Sequence, residues 1–267
     1  MTTTRTPPPH VLSGSFRLNR PSPQADRLDL WLPLGLDTIR DFSGGDRTGV
    51  MNGSASRNVD NHGWHLACDG TDGSGDYLSV ANHPRVDPAA EDFTVAFWVK
   101  ASGYVNQGSS INCFASKGGM ASNPAWGIGL RGDDSLSFWI NAFETNPAYT
   151  ATGTTWKHIV ATRVVASGAI VLYGNGVSIA TNTGDTNSVG NTDVLGIGGD
   201  STHGQRYTAA RFRDFRFYRR ALTAPQVWDI YAHPYDLFAR PVEQDYWQAQ
   251  AGAAVAANPQ LLLLGVG

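Results

Sequence analysis

The sequence predicts an all-β fold, an antiparallel sandwich of two sheets with one short C-terminal helix and extended terminal arms. The 267 residues include 30 glycines and 14 prolines, which suit many turns between short strands. Hydrophobic residues make up 41% of the chain, enough to fill a substantial core. A strand near the C-terminus runs directly into a short helix. Sandwiches of this length commonly form one domain, and we predict one.

The strand and the helix near the C-terminus lie within residues 211–234. Phe215 and Phe217 alternate with Arg216 and Tyr218, so one face of the strand is apolar, as in a sheet with one buried side. After Tyr218 the alternation stops, and the residues that follow have the spacing of a helix start.

The helix is predicted from its two ends. Thr223 and Gln226 have the spacing of a capping box, in which two backbone N–H groups are satisfied reciprocally. Pro225 lies in the first turn, where its missing N–H costs nothing, and Pro234 ends the helix.

Short segments with strand periodicity occupy most of the chain before this helix. The first is residues 28–34, in which leucines alternate with Asp29 and Trp31. Turn sequences such as residues 132–134 and 174–176 separate later segments. Many short strands with hairpin turns and a single late helix are typical of a jelly-roll sandwich. The other predicted strands are residues 63–68, 77–80, 93–100, 111–116, 126–131, 135–141, 156–164, 170–173, 177–181 and 194–197.

Four segments in order resemble the laminin-G-like jelly rolls of the concanavalin A-like lectin/glucanase superfamily, of the kind found in phage virion proteins. Residues 69–80 (DGTDGSGDYLSV) resemble the opening hairpin, and residues 93–100 (FTVAFWVK) an early core strand with an outward tryptophan. Residues 155–163 (TWKHIVATR) and 211–234 resemble a middle strand and the closing strand and helix. The resemblance is specific for the fold and says little about function.

The chain is expected to have three parts. Residues 1–27 contain five prolines and few apolar residues, so they are predicted to form an extended N-terminal arm. Residues 28–236 form the laminin-G-like domain, and residues 237–267 form an extended C-terminal tail. Since Pro-rich and Ala-rich termini are rarely ordered alone, we expect neighbouring chains to hold both.

The formal net charge of −3 disfavours nucleic acid as a partner, because phosphate binding needs a clustered positive field. The five arginines within residues 211–220 form the one basic run of the sequence. We interpret them as a solvated strand edge that prevents pairing with other chains.

Signals for export, membrane insertion and disulfide formation are weak. The N-terminus has neither a basic start nor an apolar stretch, so no signal peptide is predicted. The apolar run at residues 261–264 is far shorter than the ~20 residues of a membrane span, so no span is predicted. Cys68 and Cys113 are expected to be free, partly buried thiols, although a disulfide between them stays open.

The glutamates do not form the catalytic pattern of the superfamily's glucanases, which the resemblance implies would be paired acids on one strand. The chain has only Glu91, Glu144 and Glu243, none with acidic residues at alternate positions along a strand. No catalytic residue is therefore predicted, and the protein is not expected to be an enzyme.

The resemblance implies calcium as a candidate cofactor, since many relatives bind a structural calcium ion through an aspartate on the closing strand. Arg213 aligns with that position, and a guanidinium cannot ligate calcium. No metal or other cofactor is predicted. A shifted calcium site near Asp41, Asp46 and Asp214 is the alternative left open.

A carbohydrate site requires exposed aromatic rings, which stack on pyranoses, with polar side chains nearby. Trp139 and Asn141 fall on the polar face of the strand at residues 135–141, and Trp126 and Tyr149 are expected at its rim. These four residues are the predicted glycan site. The alternative is that the rings pack a second face of the sandwich or an assembly interface.

These features favour a non-catalytic structural and adhesive protein, a phage virion component that decorates the head or belongs to the neck, tail or fibre. Both terminal segments are expected to bind other virion subunits in an oligomeric assembly formed in the host cytoplasm. The lectin-like sandwich is expected to face outward and to bind cell-surface glycans. The alternatives are a free carbohydrate-binding module and, less favoured, a glycoside hydrolase.

Overall fold

The computed structural model describes residues 17–35, 39–61, 63–71, 75–119, 125–141, 143–183, 185–200, 202 and 206–239. Within these residues the chain forms seventeen strands, a short 3₁₀ helix at Pro23–Ala25 and one α-helix, α1, at Ala224–Ala232. The strands are β1 (Arg17–Leu18), β2 (Leu28–Leu32), β3 (Gly49–Asn52), β4 (Ser56–Asp60), β5 (Gly63–Asp69), β6 (Tyr77–Val80), β7 (Phe93–Gly103), β8 (Ile111–Lys117), β9 (Trp126–Arg131), β10 (Leu136–Ile140), β11 (Phe143–Thr145), β12 (Lys157–Val164), β13 (Ala169–Gly174), β14 (Val177–Asn182), β15 (Leu195–Ile197), β16 (Ala209–Tyr218) and β17 (Phe238–Ala239).

Two antiparallel sheets form the sandwich. The seven-stranded sheet has the order β11-β10-β9-β8-β15-β6-β3. The eight-stranded sheet has the order β14-β13-β12-β7-β16-β5-β4, with β2 added alongside β16. Strands β1 and β17 form a separate pair, which we call the terminal ribbon. The predicted all-β, two-sheet jelly-roll sandwich is thus confirmed.

Each strand predicted from the sequence is present, with ends that match or differ by at most three residues. The structure adds five strands that the sequence did not reveal: β1 and β17 of the terminal ribbon, and β3, β4 and β11. The last three lie at the edges of the sheets. Val50 and Met51 of β3 and Val59 of β4 are exposed, so their apolar side chains do not mark a buried face.

The main core lies between the two sheets and is built from alternate residues of each strand. Leu30 and Leu32 of β2 and Phe215 and Phe217 of β16 all belong to it. The predicted alternation of the closing strand is therefore confirmed, because Arg216 and Tyr218 lie on the opposite face of the sheet.

The opposite face of the eight-stranded sheet is buried as well. Trp31 and Tyr218 pack there with Val227 and Ile230 of α1 in a second apolar cluster. The capping box of α1 is present, with the Thr223 backbone N–H donating to Gln226 Oε1 at 3.0 Å. The predicted helix is confirmed, and it closes one side of the sandwich.

The arginines of β16 do not form the predicted solvated edge. β16 lies inside the eight-stranded sheet, and Arg213 and Arg216 are each 1% exposed. Arg216 Nη2 lies 2.6 Å from Asp214 Oδ2, and Arg213 Nη2 lies 2.9 Å from Asp60 Oδ1. The prediction is wrong because α1 and neighbouring segments cover this face, where a buried cation requires a paired anion.

Part of each predicted terminal arm packs on the domain. In the terminal ribbon, Arg17 pairs with Ala239 and Leu18 with Phe238. Gln24 is buried, and its Nε2 donates to the carbonyl of His233 at 3.0 Å. The folded body therefore begins before residue 28 and extends past residue 236. Residues 1–16 and 240–267 lie outside the described residues.

Both cysteines are free and buried, as expected. Cys68 belongs to the core between the sheets, whereas Cys113 packs with Ile111 and Trp139 in a separate cluster. Burial raises the pKa of both thiols, so neither forms a thiolate readily.

No helix in the described part of the chain is both long and apolar enough to cross a membrane.

Candidate functional site

A cavity of about 460 Å³ opens between the terminal ribbon and the loop that follows β2. Its volume lies within the range of small-molecule and sugar sites. Three arginines contribute to its lining, together with aromatic, aliphatic and backbone surfaces. The lining residues are Arg17, Leu18, Asn19, Arg20, Pro21, Arg40, Asp41, Phe42, Gly44 and Ala239.

Asp41 shapes the loop that forms one wall of the cavity. Its Oδ1 accepts hydrogen bonds from the backbone N–H groups of Trp31 at 3.1 Å and of Ser43 at 2.8 Å. Its Oδ2 lies 2.8 Å from Nη2 of Arg47. Both oxygens of the carboxylate therefore contact protein groups, and Arg47 neutralises its charge.

Phe42 forms an aromatic surface in the cavity. Its ring meets Trp31 edge-on at 6.0 Å between centroids, which fixes it to the apolar cluster under the loop. The Arg40 guanidinium lies 4.6 Å from the Phe42 ring centroid, a cation–π contact. One arginine is therefore held in place by an aromatic ring.

The cavity is electropositive. Arg17, Arg20 and Arg40 are exposed, and among the residues that the structure describes none of them forms an ion pair with a carboxylate. Arg20 Nη2 lies against Gly44, where an added Cβ would come within 2.8 Å of it. The chain as a whole carries a net charge of −3, so the positive charge of this cavity contrasts with the negative charge of the whole chain.

The carboxylates of the alternative calcium site are occupied by protein groups. Asp214 Oδ1 accepts a hydrogen bond from Trp31 Nε1 at 2.8 Å, and both its oxygens contact Arg216. Asp41 is held by Arg47 as described above. Guanidinium groups thus neutralise two of the three aspartates that would have bound the ion.

The predicted sugar-stacking tryptophans are buried. Trp126 is 0% exposed and belongs to the core, and Trp139 is 2% exposed. The Trp139 ring lies over Gly127, where an added Cβ would come within 2.1 Å of Cζ2. The expectation that these rings are exposed is wrong, because each ring fills space within or against the seven-stranded sheet.

The two remaining predicted site residues are also used by the fold. Asn141 is buried, with Nδ2 donating to Asp185 Oδ2 at 2.6 Å and Oδ1 accepting from the Ala125 backbone at 3.0 Å. The Tyr149 ring is half-buried and packs on Gly174. The structure places Asn141 near Trp126, through neighbouring Ala125, but it does not form an open site from the four residues.

The described glutamates are paired with arginines. Glu91 Oε2 accepts from Arg219 Nε at 2.9 Å, and Glu144 Oε1 lies 2.5 Å from Arg131 Nη1. Glu243 lies outside the described residues. Each of the two described glutamates is therefore engaged by a guanidinium group.

Sequence reasoning missed the cavity because its residues come from segments with no shared pattern. Arg17, Arg20 and Pro21 lie in the predicted arm, Arg40 and Phe42 in a loop, and only tertiary packing unites them. The one signal in the sequence was the group of cations near residue 20, with no acidic residue before Asp26.

A family model for the concanavalin A-like lectin/glucanases superfamily matches residues 72–228. No curated protein matches the sequence. The binding domain of Paraclostridial mosquitocidal protein 1 is similar in structure, with 17% identity and a TM-score of 0.65 over 79% of this chain and 53% of that one.

Two botulinum neurotoxin structures are similar as well. The binding domain of neurotoxin DC in complex with SialylT has 16% identity and a TM-score of 0.61 over 78% of this chain and 52% of that one. A neurotoxin type C structure has 15% identity and a TM-score of 0.60 over 76% and 50%. At these identities the likeness concerns the fold, and the chain spans about half the length of these structures.

Proposed function

Because the chain belongs to the concanavalin A-like lectin/glucanase superfamily, we propose that it is a non-catalytic glycan-binding protein that serves as a structural and adhesive component of a phage virion. The observation that carries the glycan-binding part is the cavity beside the terminal ribbon. It combines an aromatic ring, aliphatic surfaces and the guanidinium donors of three arginines in a volume of about 460 Å³. A sugar needs this mixture, because its C–H faces are apolar and its rim is polar.

The structural relatives support binding rather than catalysis. The mosquitocidal protein structure and the neurotoxin DC structure are both described as binding domains. One is a complex with SialylT, and cell entry of neurotoxin type C is described as dependent on two ganglioside molecules. The pairing of Glu91 and Glu144 with arginines agrees with a non-catalytic role.

The virion part of the proposal draws on the terminal segments. Residues 1–16 are rich in proline and threonine, and residues 261–264 form an apolar run. A pre-extended Pro-rich segment loses less entropy on docking, so it suits binding to neighbouring subunits. The pairing of Arg17 with Ala239 supports a single attachment point for both segments, with the sandwich proposed to face outward.

A glycan array probed with the intact protein tests the glycan-binding part. We expect binding to a subset of glycans, and Arg40→Ala should weaken it about tenfold or more through loss of one charge-assisted hydrogen bond. The matched control is Arg57→Ala, because Arg57 also lies over an aromatic ring, at 4.9 Å from the Trp64 centroid, but does not line the cavity. An array without bound glycans would contradict the proposal.

The virion part is tested by incorporation into particles. The deletion should be limited to residues 1–16 and 240–267, because residues 17–27 and 237–239 pack on the domain. The shortened protein should remain folded and fail to enter particles. Normal incorporation would contradict the proposed attachment.

A further inference from the structure

The charge balance of the cavity indicates which glycans it selects. Among the residues that the structure describes, Asp41 is the only acidic one in the lining, and Arg47 already pairs with it at 2.8 Å. The three remaining charged side chains are Arg17, Arg20 and Arg40, all positive. The cavity therefore has an excess of positive charge that the described protein does not neutralise.

The three arginines line one cavity and come from two sides of it. Arg17 and Arg20 lie on the terminal ribbon side, and Arg40 lies on the opposite loop over the Phe42 ring. Like charges held together repel one another, so their clustering costs free energy until an anion binds between them. A guanidinium presents a planar fork of donors that matches a carboxylate or sulfate in a bidentate arrangement.

Apolar surface beside the cations suits the rest of a sugar. Leu18, Pro21 and Phe42 line the same cavity, and Phe42 is anchored on Trp31. The C–H face of a pyranose can rest on this surface while its acidic substituent reaches the arginines. Neutral sugars would leave the cations unpaired, so the gain on binding them is smaller.

We propose that the cavity is a site for acidic glycans, in which Arg17, Arg20 and Arg40 bind a sugar carboxylate or sulfate and Phe42 supports the ring. This inference rests on the proposed glycan-binding function and names the ligand class for the same cavity. Arg40 is expected to contribute most to specificity, because its contact with Phe42 holds it in place before the ligand arrives.

Isothermal titration of the intact protein with matched ligands tests the inference. Sialyllactose and lactose differ by one carboxylate sugar, and glucose 6-sulfate and glucose differ by one sulfate. We expect each acidic ligand to bind about tenfold or more tightly than its neutral partner at low salt. The preference should shrink at high salt, since exposed charges are screened. The stronger of the two acidic ligands identifies carboxylate or sulfate as the preferred group.

Single substitutions then locate the preference. Arg40→Gln and Arg20→Gln should each reduce affinity for the acidic ligand about tenfold and reduce affinity for the neutral ligand by a smaller factor. Arg57→Gln is the control outside the cavity. Unchanged melting temperatures would show that the variants remain folded, as expected for the exposed side chains of Arg20 and Arg40.

The outcomes separate this inference from the proposed function. Equal affinity for acidic and neutral glycans, with no effect of Arg40→Gln, would overturn the acidic preference while glycan binding stands. A second probe is inorganic sulfate, followed through the Nε–H signals of the arginines in NMR spectra. If sulfate shifts the cavity arginines but no glycan binds, anion binding is supported and glycan binding fails. If neither binds, both proposals fail.

Discussion

His158 lies beneath α1 with no access to solvent. Its ring is stacked on Tyr231 at 5.8 Å between centroids and tilted against Trp98 at 5.0 Å. Burial lowers the pKa of His158 to about 3, and the positive charge of Arg216 acts in the same direction. The histidine is therefore neutral in the folded protein at physiological pH and serves as part of the aromatic packing.

This burial makes stability depend on pH. In the unfolded chain the histidine has its ordinary pKa near 6.5 and binds a proton as the pH falls, whereas the native histidine does not. Protonation therefore favours the unfolded state below pH 6.5. We expect His158 to make the protein about 1.4 kcal/mol less stable at pH 5.5 than at pH 7.5. The free energy of unfolding in urea should be measured at pH 5.5 and at pH 7.5. The difference between the two pH values should be about 1.4 kcal/mol smaller in His158→Gln than in the wild type.

His83 provides the matched control, because it is exposed. His83→Gln removes a histidine from the surface and leaves the aromatic packing beneath α1 intact. Burial also lowers the pKa of His65, so a part of the dependence should remain in His158→Gln. Identical pH dependence in the wild type and His158→Gln would contradict this assignment.

The sequence predicted the alternation of residues along β16 but not the surroundings of each residue. Arg216 was correctly placed on the face opposite Phe215 and Phe217. Its burial was missed, because the groups that surround it come from distant segments. Its Nη1 donates to Gln24 Oε1 at 3.0 Å and its Nη2 to the Pro234 carbonyl at 3.1 Å. Period-two reasoning identifies a face, whereas the cover over that face depends on tertiary structure.

At the scale of elements, the turn between β13 and β14 supports α1. Gly176 in this turn has a φ of +81°, and an added Cβ would come within 2.8 Å of both Trp228 Cε3 and Tyr231 Cδ1. The two rings belong to α1 and lie directly on the glycine. The turn thus needs glycine both for its backbone conformation and for the close approach of the helix.

Gly176→Ala should therefore destabilise the protein. We expect a loss of about 1–3 kcal/mol, because the substitution combines an unfavourable backbone conformation with a clash against α1. The free energy of unfolding in urea is the measurement. Gly132→Ala is the control, since the nearest atom to its added Cβ is 3.8 Å away. Equal stability of the two variants would contradict the packing of α1 on the turn.

The interior strands were predictable from sequence, whereas of the four edge strands only β14 was predicted. β7 and β12 are apolar on both faces or nearly so, because one face meets the other sheet and the other lies under α1. In β3 the side chains of Val50 and Met51 are exposed to solvent, so the sequence of this strand does not indicate a buried face. Edge strands form through backbone pairing with a neighbour, which residue patterns do not encode.

At the scale of the whole molecule, the candidate site lies where the two ends of the described chain meet. The predicted site, Trp126, Trp139, Asn141 and Tyr149, followed from aromatic residues on one strand and its rim. Those residues pack within the fold, whereas the open cavity is lined by residues from three distant segments. No local pattern could unite Arg17, Arg40 and Ala239, because their proximity results from the complete fold.

The terminal ribbon has a mechanical consequence. Its two strands pair through Arg17 with Ala239 and Leu18 with Phe238, and the chain leaves at the same end of both. A force that pulls the two terminal segments apart therefore separates the two strands of the ribbon one residue pair at a time, starting with Arg17 and Ala239. Arg17, Leu18 and Ala239 also line the cavity, so tension opens the wall of the binding site before it reaches the sheets.

Optical tweezers with handles at the two termini can measure this behaviour. We expect a small extension at low force when the ribbon opens, followed by cooperative unfolding of the sandwich at higher force, because the ribbon has only two residue pairs among the described residues. An acidic glycan bound in the cavity should raise the force of the first step. Unfolding in a single step, with or without ligand, would contradict the expectation. A particle anchored through these segments would then release its glycan under tension while the sandwich stays folded.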